Sequence, residues 1–249
     1  MSELNGRVAV VTGAGRGIGK GIAIALARQG ADIIFTYHSN SAAAKQTKRE
    51  LEQIGVQATA IQADSGDEQA VVRVRDEVKD RYGQINILVN NSGTFCPDLP
   101  LVETACEDWD AIINTDLKGV FLFCKYFVPL IAKQPVGKVI NISSELSFQG
   151  RALYSPYVAA KSGLNGLSRS LAKELAPEVL VNVVAPGPTS TDMVKSMPPE
   201  LQEYEKDITL LKRFGTVDEI AETVLFLASD KGNYFCGQII SPNGGAVFP

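Results

Sequence analysis

Short apolar runs alternate along the chain with longer amphipathic ones. Residues 8–12, 33–37, 58–62, 85–90, 138–143, 180–185 and 238–241 are rich in Val and Ile, and most are apolar on both faces. That pattern predicts strands of a parallel sheet covered by helices on both sides. Residues 18–29, 41–54 and 157–174 carry helical periodicity, and 107–131 predicts another long helix. Three further helix starts carry the residues of a capping box, Ser65 with Glu68, Thr104 with Glu107 and Thr216 with Glu219. The alternation predicts an α/β, doubly wound parallel seven-stranded sheet with helices on both faces, the Rossmann fold, as one domain over residues 1–249. Residues 186–213 interrupt the rhythm with Pro186, Pro188, Pro198 and Pro199, and predict a lid over a site, helical over 201–207.

Composition narrows the chemistry. The chain has 249 residues, 45% hydrophobic and 21% charged, an ordinary globular balance that needs no disulfide or metal staple. The net charge is −4 and no basic run stands out, which argues against nucleic acid or an anionic membrane as partner. No run reaches the roughly 18 apolar residues of a membrane span, and the first ten residues do not resemble a targeting segment. The cysteines Cys96, Cys106, Cys124 and Cys236 form no C-x-x-C pair and predict reduced thiols in a cytoplasmic protein. His38 is the only histidine, which disfavours Ser-His-Asp hydrolases and imidazole-rich metal sites; no metal is expected.

The first strand runs through Thr12-Gly13-Ala14-Gly15-Arg16-Gly17-Ile18-Gly19 into a helix. Such a loop lets the backbone approach a phosphate while the helix N-terminus offers free N–H groups. Its G-x-x-x-G-x-G spacing differs from the G-x-G-x-x-G fingerprint. The second strand ends at Tyr37-His38-Ser39-Asn40, without the acid that commonly holds the ribose 2′-hydroxyl of NAD, and Arg16 stands where a 2′-phosphate could pair with it. Both features favour NADP(H) over NAD(H). Tyr157 and Lys161 are four residues apart, on one helix face, where an ammonium favours a phenolate and prepares an acid–base pair. A lone Y-x-x-x-K is a weak signal.

Together these pieces resemble the short-chain dehydrogenase/reductase family over nearly the whole chain. The resemblance rests on Thr12–Gly19, Asp64, the NNSG of residues 90–93, Asn114, Ser144, Tyr157 with Lys161, PGPTST at 186–191 and RFG at 213–215. It implies that Tyr157 exchanges a proton with a carbonyl oxygen, Lys161 lowers the tyrosine pKa and holds the nicotinamide ribose, Ser144 places the carbonyl, and Asn114 anchors a water leading to Lys161. Ser144, rather than Ser143, stands at the family's 13-residue separation from Tyr157. For the cofactor it implies Gly13, Arg16, Gly17, Ile18 and Gly19 at the phosphates, and Asp64 and Ser65 at the adenine. Asn91 falls at a ribose, and Pro186, Gly187, Thr189 and Thr191 beside the nicotinamide. His38, Ser39 and Asn40 fall at the adenosine end.

The expected function is an oxidoreductase moving a hydride between NADP(H) and a small-molecule carbonyl, as a homotetramer. Two alternatives stand beside it: a 3-oxoacyl-carrier-protein reductase, and a catalytically silent dinucleotide sensor or scaffold. Tyr154, an aromatic without a following lysine, is expected to line the substrate cleft, and Glu145 faces either the cleft or solvent.

Overall fold

The computed structural model describes residues 3–131, 136–195 and 197–248, without the side chains of residues 193 and 195. Among them, β1 (Val8–Val11), β2 (Asp32–Tyr37), β3 (Ala58–Gln62), β4 (Ile87–Asn90), β5 (Gly137–Ile142), β6 (Val179–Val184) and β7 (Ile239–Ile240) form one sheet. The order is β3-β2-β1-β4-β5-β6-β7 and every pairing is parallel, with Ala9 opposite both Ile33 and Ile87. The chain reverses its direction of winding between β1 and β4, which opens a crevice at the carboxyl ends of the strands.

Alternate strand residues supply two separate cores, as a doubly covered sheet requires. Ala9, Val11, Ile87, Val89 and Ile140 pack with α1 (Gly17–Arg28), α2 (Ser41–Ile54) and the last helix of the chain. Val10, Leu88, Val139 and Val181 pack with α3 (Glu68–Tyr82) and with helices between β4 and β6 on the other face. Gly21 lets α1 lie directly against Val217, where a Cβ would collide.

The predicted helix over 107–131 is not continuous. It divides into α4 (Cys106–Ile113), a π-helical turn over Asn114–Lys118 and α5 (Gly119–Ile131). A π turn changes the angle at which following side chains leave the axis; here it brings Asp116 to full burial. Gly119 admits the backbone of Ser65 beside it. After β5 come α6 (Leu146–Gln149) and α7 (Ser155–Leu175). The predicted lid contains α8 (Asp192–Lys195) and α9 (Pro199–Asp207), before α10 (Val217–Ala228). Helix α9 starts earlier than the expected 201 because Pro199 supplies the fixed φ that suits a first helical position.

Of the three expected capping boxes, only Thr216 with Glu219 forms. Helix α3 is capped instead by Asp67, whose carboxylate accepts from the Gln69 N–H, while the Ser65 hydroxyl reaches Ser92. The Thr104 hydroxyl turns back to the Pro100 carbonyl, and α4 starts after Ala105 without a side-chain cap. In both failures a competing acceptor lies closer than the helix end the sequence pattern pointed to.

Candidate active site

The loop between β1 and α1 is held open by its neighbours. Gly13 and Gly17 have positive φ, 66° and 58°, which favours glycine. Gly19 has no room for a Cβ against the Asn91 side chain and the Gly13 carbonyl. The Thr12 hydroxyl oxygen accepts from the backbone N–H groups of Asn91 and Ser92, and the Asn91 amide donates to the carbonyls of Thr12 and Gly13. The start of α1 has no side-chain cap, so its first N–H groups remain available to an anion.

This loop forms one wall of a groove of about 620 Å³ whose lining includes Arg16, His38, Asp64, Ser65 and Asn114. A loop crowded at Gly13 and Gly19, an uncapped helix start and an exposed arginine suit a pyrophosphate with a charged ribose substituent. Ser39 and Asn40 stand beyond the groove lining. Asn40 has a local role, its side chain capping α2 by accepting from the Ala43 N–H. Asn91 lines the groove, but its amide hydrogens are committed to the glycine loop.

A second cavity, about 300 Å³, opens from the inner end of the groove. Ile18, Asn91, Gly93, Thr94 and Thr191 border both. Ser144, Tyr157 and Lys161 line the inner cavity together with Pro186, Gly187 and Thr189. Ser143 and Ser144, at the end of β5, both line this cavity, and their hydroxyls have different partners. The Ser143 hydroxyl is turned to the Lys161 carbonyl of α7, whereas that of Ser144 lies among the site's polar groups. Tyr157 and Lys161 share a face of α7, with the ammonium 5.5 Å from the tyrosine ring centre.

Lys161 also donates to the Ile142 carbonyl at 3.1 Å. Its charge is met by Asp116, a residue the motif reading had not singled out, with Oδ2 3.2 Å from Nζ. The other Asp116 oxygen accepts from the Thr94 N–H at 2.8 Å. Asn114, expected on the path to Lys161, lies at the start of the same π turn and lines the cofactor groove. The signal that could have found Asp116 is an acid two residues beyond Asn114, the last carboxylate before the apolar run of α5.

Burial raises the Tyr157 pKa; Lys161 pulls it down and Asp116 pushes it back, leaving it above the ordinary value. For Lys161, burial disfavours the charge, but Asp116 and Tyr157 outweigh it and hold the pKa above the usual lysine range. Tyr157 is therefore a protonated phenol at neutral pH, suited to giving a proton away.

Glu145 faces the cleft and is 6% exposed. Its Oε2 accepts from the Ser144 hydroxyl at 2.9 Å, and burial pushes its pKa up to about 7. Arg151, before α7, pairs with Glu205 of the lid helix α9 at 2.5 Å. Tyr154 lies in the cleft wall with its ring edge toward Tyr157 and the Arg151 guanidinium 4.6 Å from its own ring centre.

A glycine-loop groove that ends at a serine, a tyrosine and a lysine on one wall defines an oxidoreductase of the doubly wound α/β class. The chain belongs to the short-chain dehydrogenase/reductase family. The matching family model, described as enoyl-(acyl carrier protein) reductase, covers residues 13–247. The 3-oxoacyl-[acyl-carrier-protein] reductase FabG of Staphylococcus aureus is 40% identical over 238 residues, 95% of this chain and 96% of that protein. A Burkholderia cenocepacia short-chain dehydrogenase solved in complex with NADP superposes with a TM-score of 0.92 at 32% identity, over 98% of this chain and 99% of the other. A blue fluorescent protein from a metagenomic library, in complex with NADPH, gives 0.93 at 37% identity, over 99% and 100%.

Proposed function

We propose that this enzyme reduces the carbonyl group of a small ketone or keto ester with NADPH. The observation that carries the reading is the placement of Ser144, Tyr157 and Lys161 on one wall of a cleft that continues the glycine-loop groove. In this reading Gly13, Gly17, Ile18 and Gly19 receive the pyrophosphate, and Arg16 pairs with the 2′-phosphate near His38. Asp64 and Ser65 border the adenine. Pro186, Gly187, Thr189 and Thr191 border the nicotinamide, which supplies the hydride when the cofactor is bound. Tyr157 gives its phenolic proton to the carbonyl oxygen, Ser144 donates a hydrogen bond to that oxygen, and Lys161 stabilises the phenolate left behind. Asp116 holds Lys161 directly, and Asn114 anchors a water on the path to it.

A second reading, reduction of a 3-oxoacyl group carried on a carrier protein, is favoured by the names of the curated relatives. The −4 charge and the Ala176-Pro177-Glu178 sequence after α7 weaken that reading, while the exposed Arg169 and Lys173 near the end of α7 leave an acidic carrier some basic surface. A homotetramer in the cytoplasm is part of the proposal. Trp109 and Phe121 are partly exposed on α4 and α5, which suits burial between subunits, and Cys96 and Cys124 are free, buried thiols.

The test is a panel of free ketones, keto esters and a carrier-bound 3-oxoacyl thioester, each with NADPH and NADH. Turnover of free carbonyls with NADPH supports the first reading, turnover of the carrier form alone supports the second, and no turnover supports the silent sensor. Y157F should lower turnover on the order of a thousandfold, within the range for loss of a positioned acid, while NADPH affinity stays within a few-fold.

A further inference from the structure

The Ser144 hydroxyl has one proton and two lone pairs. One lone pair accepts from the Leu146 N–H at 3.2 Å. The proton has two competing directions: into the cleft, where the Tyr157 phenol oxygen and, in the reading above, the substrate oxygen lie, and back to the Glu145 carboxylate 2.9 Å away. An ionised carboxylate is acceptor-only, so while Glu145 is charged the hydrogen between the two groups is necessarily the serine's. A protonated Glu145 reverses the bond. It donates to the second lone pair of Ser144, both lone pairs are then filled, and the serine proton turns into the cleft, toward the side on which Tyr157 and the substrate oxygen lie.

We propose that Glu145 is a positioning residue that must be protonated for the reaction: as an acid it turns the Ser144 proton toward the substrate, and as a carboxylate it takes that proton for itself. No proton leaves Glu145 during turnover; the one delivered to the product comes from Tyr157. The inference rests on the carbonyl-reductase reading.

The surroundings keep Glu145 near the balance point. It is held from its own backbone, whose N–H donates to the Pro186 carbonyl. The charged groups facing it come from every element packed there: Glu205 on α9, Arg151 before α7, and Tyr157 and Lys161 on α7. Asp116 on the π turn, Cys96 after β4 and Tyr154 before α7 border the same cleft, and Asp98 acts on Arg151. Arg151 is engaged by Glu205 and Lys161 by Asp116. Glu145 therefore has a hydroxyl as its hydrogen-bonding partner where a cation would have kept it ionised. Burial lifts its pKa to about 7, and Ser144 and Arg151 only partly counter that.

Two measurements decide the matter. In the reduction direction, kcat/KM of the wild type should fall about tenfold per unit above roughly pH 7, on a limb separate from the higher one set by Tyr157. In Glu145→Gln the amide donates to Ser144 at every pH, so the neutral limb should vanish and the variant should exceed the wild type by on the order of tenfold or more at pH 9. Superposable wild-type and E145Q profiles overturn the proposal. The second measurement needs no turnover: the carbon-13 resonance of the Glu145 carboxyl, identified by its loss in E145Q, should titrate near neutral pH. A midpoint in the ordinary carboxylate range overturns the proposal as well. Absence of turnover with every carbonyl and either cofactor instead defeats the reductase reading, and the carboxyl titration still decides this one.

Discussion

Asp116 and Lys161 form a buried ion pair directly beneath the tyrosine, 3.2 Å apart, with side-chain exposures of 0% and 6%. The aspartate works on Tyr157 through the lysine and also against it, since a carboxylate nearby disfavours a phenolate. The pair thus sets how far the ammonium can acidify the phenol.

Asp116→Asn keeps an oxygen for the Thr94 N–H and removes only the charge. Without it the upward pressure on both partners is lost, so the Tyr157 and Lys161 pKa values should both fall. The difference in tyrosinate absorbance between D116N and D116N/Y157F, followed against pH, should place the Tyr157 midpoint below that of the wild type. An unmoved midpoint would show that Tyr157 does not feel the aspartate.

Arg16 is exposed at the mouth of the glycine loop. If it pairs with a 2′-phosphate, Arg16→Ala should weaken NADPH by about tenfold or more and NADH by less than about threefold, as expected for loss of one charge-assisted contact. Isothermal titration with both cofactors reads this directly. Equal losses would move the 2′-phosphate elsewhere along the groove.

The pair Arg151–Glu205 ties α9, in the segment expected to form a lid, to the wall of the cleft, with side-chain exposures of 23% and 7%. Removing one partner of a largely buried pair leaves the other charge uncompensated, so Glu205→Ala should cost on the order of 3 kcal/mol of local stability. Amide hydrogen exchange across Pro199–Asp207 should accelerate in E205A while that of β4 and β5 stays as in the wild type. Unchanged exchange in α9 would mean that the pair does not latch the lid.

Much of this molecule is legible in its sequence because the determinants are local. Strand positions follow from unbroken Val and Ile runs, and α2 keeps its expected bounds, Ser41–Ile54, because Asn40 caps its start and Gly55 follows its end. The glycine loop and the Tyr157–Lys161 pair are contiguous motifs on single elements. What escapes is set by partners distant in the chain. Asp116 acquires its role from a π turn and from a lysine 45 positions later. Ser65 and Thr104 abandon their caps for Ser92 and Pro100. Whether Glu145 faces the cleft depends on β5, the Pro186 carbonyl and α9 meeting around it, which no periodicity encodes.

Glu145 also has a signature in stability that does not depend on any substrate. Its pKa is about 7 in the folded protein against an ordinary 4.5, so the folded chain holds the proton more tightly than the unfolded chain does. Below pH 4.5 both states are protonated and the residue is neutral in its effect. As pH rises from there toward 7 the unfolded chain ionises first, and the native state loses stability; above 7 the loss is complete. A shift of this size corresponds to about 3 kcal/mol as an upper figure. Glu145→Gln cannot ionise, so its melting temperature should exceed that of the wild type by several degrees at pH 8. The gap should narrow steadily as pH is lowered toward 5. A pH-independent gap would mean that the variant acts through packing and not through the charge of the carboxylate.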